Sequence, residues 1–392
     1  MKINLWQRKI PVAWKQLTKQ RTKTLIAIAG IAFADVLMFM QLGIWEALFN
    51  SAVELHSSLN GEIVLVSGRY KSLISLDPFS ERRLRQAEGF AGVESTSPIY
   101  LNFVQWKNPQ NKDIWNIFAI GFNPEDKVLN RPEVIENQEK LHLPDSIIFD
   151  RGSRKEFGPI TALLEQKEAD AITTEVENRL VSVEGLFKMG TSFGINGNVI
   201  TSDINFLRIL NKKRQKGLID IGLIKLSSDA NVQEVLSNLR TNLPDDVRVL
   251  SKEEFITQEK NFWNTSTPVG FTFALGAVIG FIVGSVIVYQ ILYSDVSDHL
   301  SEYATLKAIG FKDRYLLSIV FQEALILAAI GFIPGIAIAI GFYATMKQAT
   351  LLPIAMTPGR AVFIFILTGA MCSISAAIAV RKLQSADPAE IF

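Results

Sequence analysis

The sequence predicts a membrane protein in which four transmembrane α-helices carry a large α+β domain inserted between the first and second helices. Three observations lead there. Pro268 to Tyr293 has no charged residue and exceeds the roughly 20 apolar residues that cross the hydrocarbon core of a bilayer. Similar apolar runs stand near the start and in the later part of the chain. Most Asp, Glu, Lys and Arg lie between or beside these runs, although the 392 residues are 48% hydrophobic and carry a net charge of only +1. That balance offers no basic stripe for nucleic acid.

Taken in order, residues 1–23 contain Lys2, Arg8, Lys9, Lys15, Lys19, Arg21 and Lys23 and no acid, which places this end in the cytoplasm by the positive-inside rule. Ile10, Ala13, Trp14 and Leu17 share a helical face, so the segment reads either as an interfacial helix or as a solvated basic leader. The first span is 24–49, interrupted by Asp35, Gln41 and Glu46. Ala32-Phe33-Ala34 imitates a signal-peptidase site, but apolar character resumes as far as Phe49, which suits a retained helix. An Asp inside a span is costly and faces the bundle interior, so Asp35 reads first as a packed, hydrogen-bonded acid and second as a functional one.

Residues 50–267 form the insert. Strands are expected over Glu62–Val66, Val93–Trp106, Ile114–Gly121, Arg179–Phe187, Asn198–Thr201 and Leu218–Leu226, with helices over Ser80–Glu88, Asn231–Leu239 and Glu253–Phe262. Glu62–Tyr100 and Leu218–Val249 share a strand, helix, strand plan that hints at two ferredoxin-like halves. Glu125–Lys140 and Glu165–Thr174 read as surface loops.

The second span, 268–293, gives way to a polar segment, 294–314, that still reads as helix. Val296, Leu300 and Tyr303 recur with helical spacing, acids come early and Lys307 late, and Gly310 supplies a left-handed stop. Asp298 and Glu302 share an acidic stripe with Asp295. A third span, 315–346, contains Glu323, which reads as a structural acid before a proton carrier, and Pro334, where a kink is expected. A loop at 347–360 with Pro353 and Pro358, a fourth span at 361–380 and a tail at 381–392 complete the chain. With a cytoplasmic start, the insert and the 347–360 loop fall outside, and the 294–314 helix and the tail inside. Gly276, Gly280 and Gly284, and likewise Gly331 and Gly335, stand four apart, a spacing that lets helix backbones approach within the bundle or between two copies.

Candidate chemistry is sparse. No G-x-x-x-x-G-K-[ST] cradle for phosphates occurs, so ATP must be hydrolysed by another chain. Gly190-Thr191-Ser192-Phe193-Gly194 matches the nucleophile elbow of hydrolases, but that order needs a downstream His in the same domain, and His56 and His142 lie upstream. The three His and single Cys372 form no HExxH or paired-cysteine metal site.

The stretch SEYATLKAIGFKDRYLLSIVFQEALILAAIGFIPG resembles the coupling-helix and third-span signature of the MacB and FtsX permease superfamily. The blocks IAGIAFADVLMFMQLG, FDRGSRKEFGPI, NVITSDINFLRI, GLIDIGLI and LLPIAMTPGRAV are similar to cyanobacterial DevC-type permeases over essentially the whole chain. The resemblance implies a homodimeric permease in a bacterial inner membrane, with both termini cytoplasmic and the insert periplasmic. It also implies partners: a cytoplasmic ABC ATPase that binds ATP and Mg, a periplasmic membrane-fusion adaptor and a TolC-type outer-membrane channel. The implied cargo is lipid-like, of the heterocyst glycolipid kind, and no cofactor belongs to this chain. Carried over by position, Glu302, Leu306, Lys307, Ala308 and Gly310 occupy the coupling motif, beside Asp298, and Glu323 is the acid of the third span. Two other readings stay open: a lipid or lipoprotein extractor, and an FtsX-like regulator of a cell-wall hydrolase.

Overall fold

Apolar and polar lengths of chain sort into separate units. A computed structural model describes residues 12–385 apart from 76, 167–171, 303–304, 306–308 and 312. One unit takes in the chain up to Glu46, Val269–Ala349 and the chain from Ile354; the other comprises Ala47–Pro268 and Thr350–Pro353. Four helices are long and apolar enough to cross a membrane.

The chain opens with α1 (Val12–Lys19) and α2 (Arg21–Ala52). Helix α2 overruns the expected 24–49 at both ends, because neither Arg21–Lys23 nor Asn50–Ala52 contains a Gly or Pro to stop it. Next come α3 (Glu54–Ser58), β1 (Ile63–Ser67), β2 (Phe79–Ser80), α4 (Arg82–Ala87), β3 (Val93–Lys107) and β4 (Ile114–Phe122). They are followed by α5 (Pro132–Glu136), β5 (Ser146–Asp150), α6 (Ile160–Glu165), β6 (Ile172–Val176), β7 (Arg179–Phe187), β8 (Asn198–Ser202) and α7 (Asp203–Leu210). The unit closes with β9 (Leu218–Ile219), β10 (Ile221–Leu226), α8 (Val232–Asn242), β11 (Val247–Ser251) and α9 (Lys252–Thr265).

Strands β11, β1, β10 and β3 lie side by side, each antiparallel to its neighbour. The units β1-α4-β3 and β10-α8-β11 therefore interleave, each holding one strand of the other between its own two. This is the split βαβ plan of a ferredoxin-like sheet, and the two halves hinted at by the sequence make one layer rather than two. Alternation along β1 sends Ile63 and Leu65 to the face covered by Leu84 of α4 and Val235, Leu236 and Leu239 of α8. Val64 and Val66 face the opposite layer, with Leu55 of α3 and Phe255 of α9. The outer edge, β11, is blunted: Arg240 Nε donates to the Val249 carbonyl (2.9 Å), and Glu254 accepts from the Ser251 N–H (2.8 Å).

Strand β3 serves two sheets. Val93–Ile99 pairs with β10, while Tyr100–Lys107 pairs with β4 and starts a ring that runs β3-β4-β8-β5-β7-β6. The ring closes where Trp106 meets Val176 and Lys107 meets Glu175, giving a small six-stranded barrel. Trp106, Ile117, Phe149, Val183 and Val199 belong to its core, and the Trp106 Nε1–H donates to the Phe157 carbonyl at 2.9 Å.

Barrel closure bears on the first of three corrections. The stretch expected as a loop over Glu165–Thr174 includes the start of β6, whose Ile172, Thr174 and Val176 are buried in alternation; residues 167–171 lie outside the described residues. Glu125–Lys140, also expected as a loop, contains α5, which starts on Pro132 and buries Val134. A third correction concerns Leu218–Leu226, which is broken at Asp220 into β9 and β10. The Asp220 carboxylate accepts from the Leu101 N–H (2.7 Å) and from Arg214 Nη2 (2.6 Å). Arg214 also donates to the Leu101 and Leu218 carbonyls (both 3.2 Å) and lies over the Tyr100 and Phe206 rings. This buried pair pins β3 where it passes from the open sheet into the barrel.

Helices α10 (Pro268–Asp298), α11 (Asp313–Thr350) and α12 (Pro358–Ser385) complete the apolar unit, in place of the expected 268–293, 315–346 and 361–380. Their core joins Val288 and Leu292 of α10, Val320 and Leu327 of α11 and Met371 and Ala376 of α12 to Ala27, Ile31 and Ala34 of α2. Ala13 of α1 is buried in the same cluster. Helix α11 passes through Pro334 as one element.

The Arg214–Asp220 pair gives a direct test. With side chains only 8% and 3% exposed, Asp220→Ala leaves a buried guanidinium unpaired, which costs about 3–5 kcal/mol. Pulse proteolysis of the full chain in urea should show the α/β unit unfolding at correspondingly lower denaturant, and an unchanged midpoint contradicts the assignment.

Candidate functional site

The site expected from the sequence is the polar connector after the second span, together with the span faces that hold it. Helix α10 does not stop at Tyr293: Ser294–Asp298 contains no helix breaker, and Ser297 Oγ donates to the Tyr293 carbonyl (2.6 Å) inside the same helix. The break comes at His299, and Leu300–Glu302 is helical again. His299 Nδ1 lies 3.0 Å from the Asp295 carbonyl, an acceptor, a geometry that suits the Nδ1–H tautomer. Nε2 is then free to accept from Gln20 Nε2 at 3.4 Å. Beside it, Lys23 pairs with Asp298 and donates to Ser294 Oγ at 3.3 Å. Lys23 in the first turn of α2 thus holds the last turn of α10, and Gln20, just before α2, meets the break that follows it. The ion pair is half exposed and adds little energy alone, so its contribution is register.

Among the predicted coupling residues, Asp298 is in this latch and Glu302 is exposed. Gly310 adopts φ +100°, with open space where a Cβ would stand. Leu306, Lys307 and Ala308 lie outside the described residues. Two residues flanking the glycine were missed in reading the sequence: Ile309 is 71% exposed and Phe311 43% exposed, with Phe311 stacked on Tyr315 at 4.8 Å. The left-handed turn thus forms a tip that exposes an apolar side chain on either side of its glycine. The signal was present as Ile-Gly-Phe, but it was read only as a helix stop.

The five spaced glycines all pack within this chain and all meet α2. A Cβ on Gly276 would meet Gln41 at 2.5 Å, on Gly280 Leu37 at 3.3 Å, and on Gly331 Ile31 at 2.7 Å. Gly284 faces Ala34 of α2 and Met371 of α12, and Gly335 faces Asp35 and the Ala32 backbone. Helix α2 answers in kind, its own Gly30 facing Ile287 and Gly43 facing Tyr343. Of the two intramembrane acids, Asp35 is fully buried and accepts from Thr368 Oγ1 of α12 at 2.6 Å. Glu323 of α11 is fully buried beside a cavity of about 10 Å³, room for a single water, lined also by Gln20, Lys23 and Asp295. The two acids therefore sit on different neighbours, and no contact joins them among the described residues. At the other end of the bundle, Arg360 of α12 bonds Glu46 of α2 (2.5 Å) and the Tyr343 hydroxyl of α11 (3.2 Å), and Tyr343 in turn donates to the Phe39 carbonyl.

The G-x-S-x-G match is a turn. Gly190 and Gly194 have φ +94° and +86°, and Ser192 N–H donates to the Ile195 carbonyl at 2.9 Å. Asp150 anchors it, accepting from the Gly190 N–H and from Asn198 Nδ2, each at 2.8 Å. Among the described residues no group of three or more His, Cys, Asp or Glu could hold a metal ion.

These features define four helices long and apolar enough to cross a membrane, with an α/β unit between the first and second in chain order and a turn with exposed apolar residues between the second and third. Residues 272–388 match the family model described as FtsX-like permease C-terminal. A domain of that family is the membrane component of ABC transporters and not itself an ATPase. Among solved structures, the periplasmic region of MacB from Actinobacillus actinomycetemcomitans is similar at 13% identity and TM-score 0.36, over 54% of this chain and 96% of that one. The extracellular domain of the ABC-type transporter YknZ from Gram-positive bacteria is similar at 13% identity and TM-score 0.33, over 49% of this chain and all of that one. No curated protein matches the chain.

The packing reading is tested by two substitutions on one helix. Gly335→Leu drives a side chain into Asp35 and the Ala32 backbone, an overpacking cost of at least about 1–3 kcal/mol. Gly341→Leu meets open space. Only the first should lower the thermal unfolding temperature of the purified protein in detergent, and equal effects from both contradict the contact.

Proposed function

We propose that this chain is the permease subunit of an ABC exporter whose ATPase is a separate chain, and that it transmits motion instead of conducting cargo through its spans. The observation that carries the reading is the FtsX-like permease match over residues 272–388, which takes in the whole connector between α10 and α11. The apolar tip at Ile309 and Phe311 supports a docking role, since exposed aliphatic and aromatic anchors seat in pockets of a partner and dominate binding energy. In this reading the ATPase grips the tip. The Lys23–Asp298 and Gln20–His299 contacts pass its displacement to the first turn of α2, around which the other spans are packed.

The finer assignment is of the DevC type: a homodimer in the inner membrane of a cyanobacterium, with both termini cytoplasmic and the α/β unit in the periplasm. There it works with a membrane-fusion adaptor and a TolC-type channel on lipid-like cargo of the heterocyst glycolipid kind. ATP and Mg belong to the ATPase.

Ile309→Asp should reduce co-purification of the partner ABC ATPase by about tenfold or more, as expected for loss of an interface anchor, while the chain still inserts in the membrane. Glu302→Lys should act in the same direction and abolish lipid export. Undiminished export in both variants sinks the docking reading. Intact lipid export with altered cell-wall cleavage in a deletion strain favours a hydrolase regulator instead.

A further inference from the structure

The mechanism above makes no use of the most deeply buried ionisable cluster in the α/β unit. Helix α3 begins directly after α2, and α9 ends just before α10, so these are the two segments by which the chain leaves and rejoins the spans. Between them lies Glu259 of α9, 1% exposed. Its Oε2 accepts from the Tyr70 hydroxyl and from the Leu73 N–H, both at 3.0 Å, and its Oε1 accepts from Trp263 Nε1 at 2.9 Å. His56 of α3, fully buried, places Nε2 3.4 Å from both Glu259 Oε2 and the Tyr70 hydroxyl, with its ring 4.3 Å from that of Phe255. Burial, and then the charge of Glu259, hold the Tyr70 hydroxyl well above the ordinary range of a phenol, so it stays a donor. Trp263 continues the chain of contacts, meeting Phe193 edge to face at 4.5 Å. Phe193 is the tip of the glycine-bounded turn that Asp150 fastens to the barrel.

A buried carboxylate is a poor source of stability, because apolar residues of the same volume fill such a site as well or better. What it adds is direction, as each acceptor oxygen fixes particular donors at particular angles. We propose that Glu259 is a mechanical junction: it binds α3, the Tyr70–Leu73 turn and α9 into one body and, through Trp263 and Phe193, attaches that body to the barrel. The use of such a junction rests on the permease reading, since a stroke arriving along either α2 or α10 then reaches the same body. Its existence does not.

Hydrogen exchange on the full chain in lipid nanodiscs tests it. Glu259→Gln keeps the shape; its oxygen still serves Tyr70 and Leu73, but its amide then opposes the Trp263 N–H, donor against donor. Amides of residues 54–58 and 70–73 should exchange about tenfold faster, the scale of losing one charge-assisted bond, while β5 and β7 keep wild-type rates. Adding Trp263→Phe removes the opposed donor and should return part of that protection, a non-additivity that a residue merely filling space does not produce. Uniform acceleration across the unit, no acceleration, or strict additivity overturns the junction. A second arm adds the partner ATPase with ATP: exchange at residues 190–195 should change in the wild type and not in Glu259→Gln. An equal change in both variants overturns the junction, whereas no change in the wild type counts against the permease reading and leaves the first arm to decide the junction.

Discussion

In hydrocarbon, apolar side chains gain nothing by leaving lipid for protein, so helices associate only where they fit closely enough for dispersion and hydrogen bonds to outweigh lipid contact. The bundle depends on that constraint at α2. Gly276, Gly280 and Gly284 of α10 and Gly331 and Gly335 of α11 all give up a side chain where α2 presents Gln41, Leu37, Ala34, Ile31 and Asp35. The fourth span reaches the same helix by another route, its Thr368 donating to Asp35 and its Arg360 bonding Glu46. A displacement of α2 is felt by three neighbours at once. Those neighbours have few side chains with which to absorb it.

Polar contacts are placed where that helix ends. Lys23 in its first turn and Gln20 just before it meet Asp298 and His299, and Glu46 ties a later turn to Arg360. None of these bonds is strong in isolation. Their arrangement gives register toward both ends of a packed rod.

Much of this was legible in the residues. The four long apolar helices follow from apolar length that a few polar residues such as Asp35 and Glu323 do not end, and the ferredoxin-like plan from two strand, helix, strand runs with turn residues between them. Small residues four apart announced the packing faces but not their partner, because spacing on one helix carries no information about the helix opposite. The barrel was hidden for a different reason. Its closing strand, Ile172–Val176, is short and includes two threonines and a glutamate; β7 pairs along its whole length, but closure itself rests on Trp106 and Lys107 beside its end. Asp220 likewise sits as one polar residue in an apolar run, and the strand breaks there because its carboxylate takes the N–H of Leu101, far away on β3, together with nearby Arg214. Glu259 is the extreme case: on α9 it looks like one more surface acid, and its burial is set by residues from positions 56 to 73. Non-local partners decide such positions, and local pattern does not reveal them.

The proposed function requires that the connector turn and the α/β unit face opposite sides of the membrane. The native Cys372 is buried, which leaves engineered cysteines to report alone. A membrane-impermeant maleimide applied to spheroplasts should label Lys112→Cys in the α/β unit at once, and should label Glu302→Cys only after the membrane is permeabilised. Prompt labelling of both in intact spheroplasts would place motor tip and outer unit in one compartment and contradict the account.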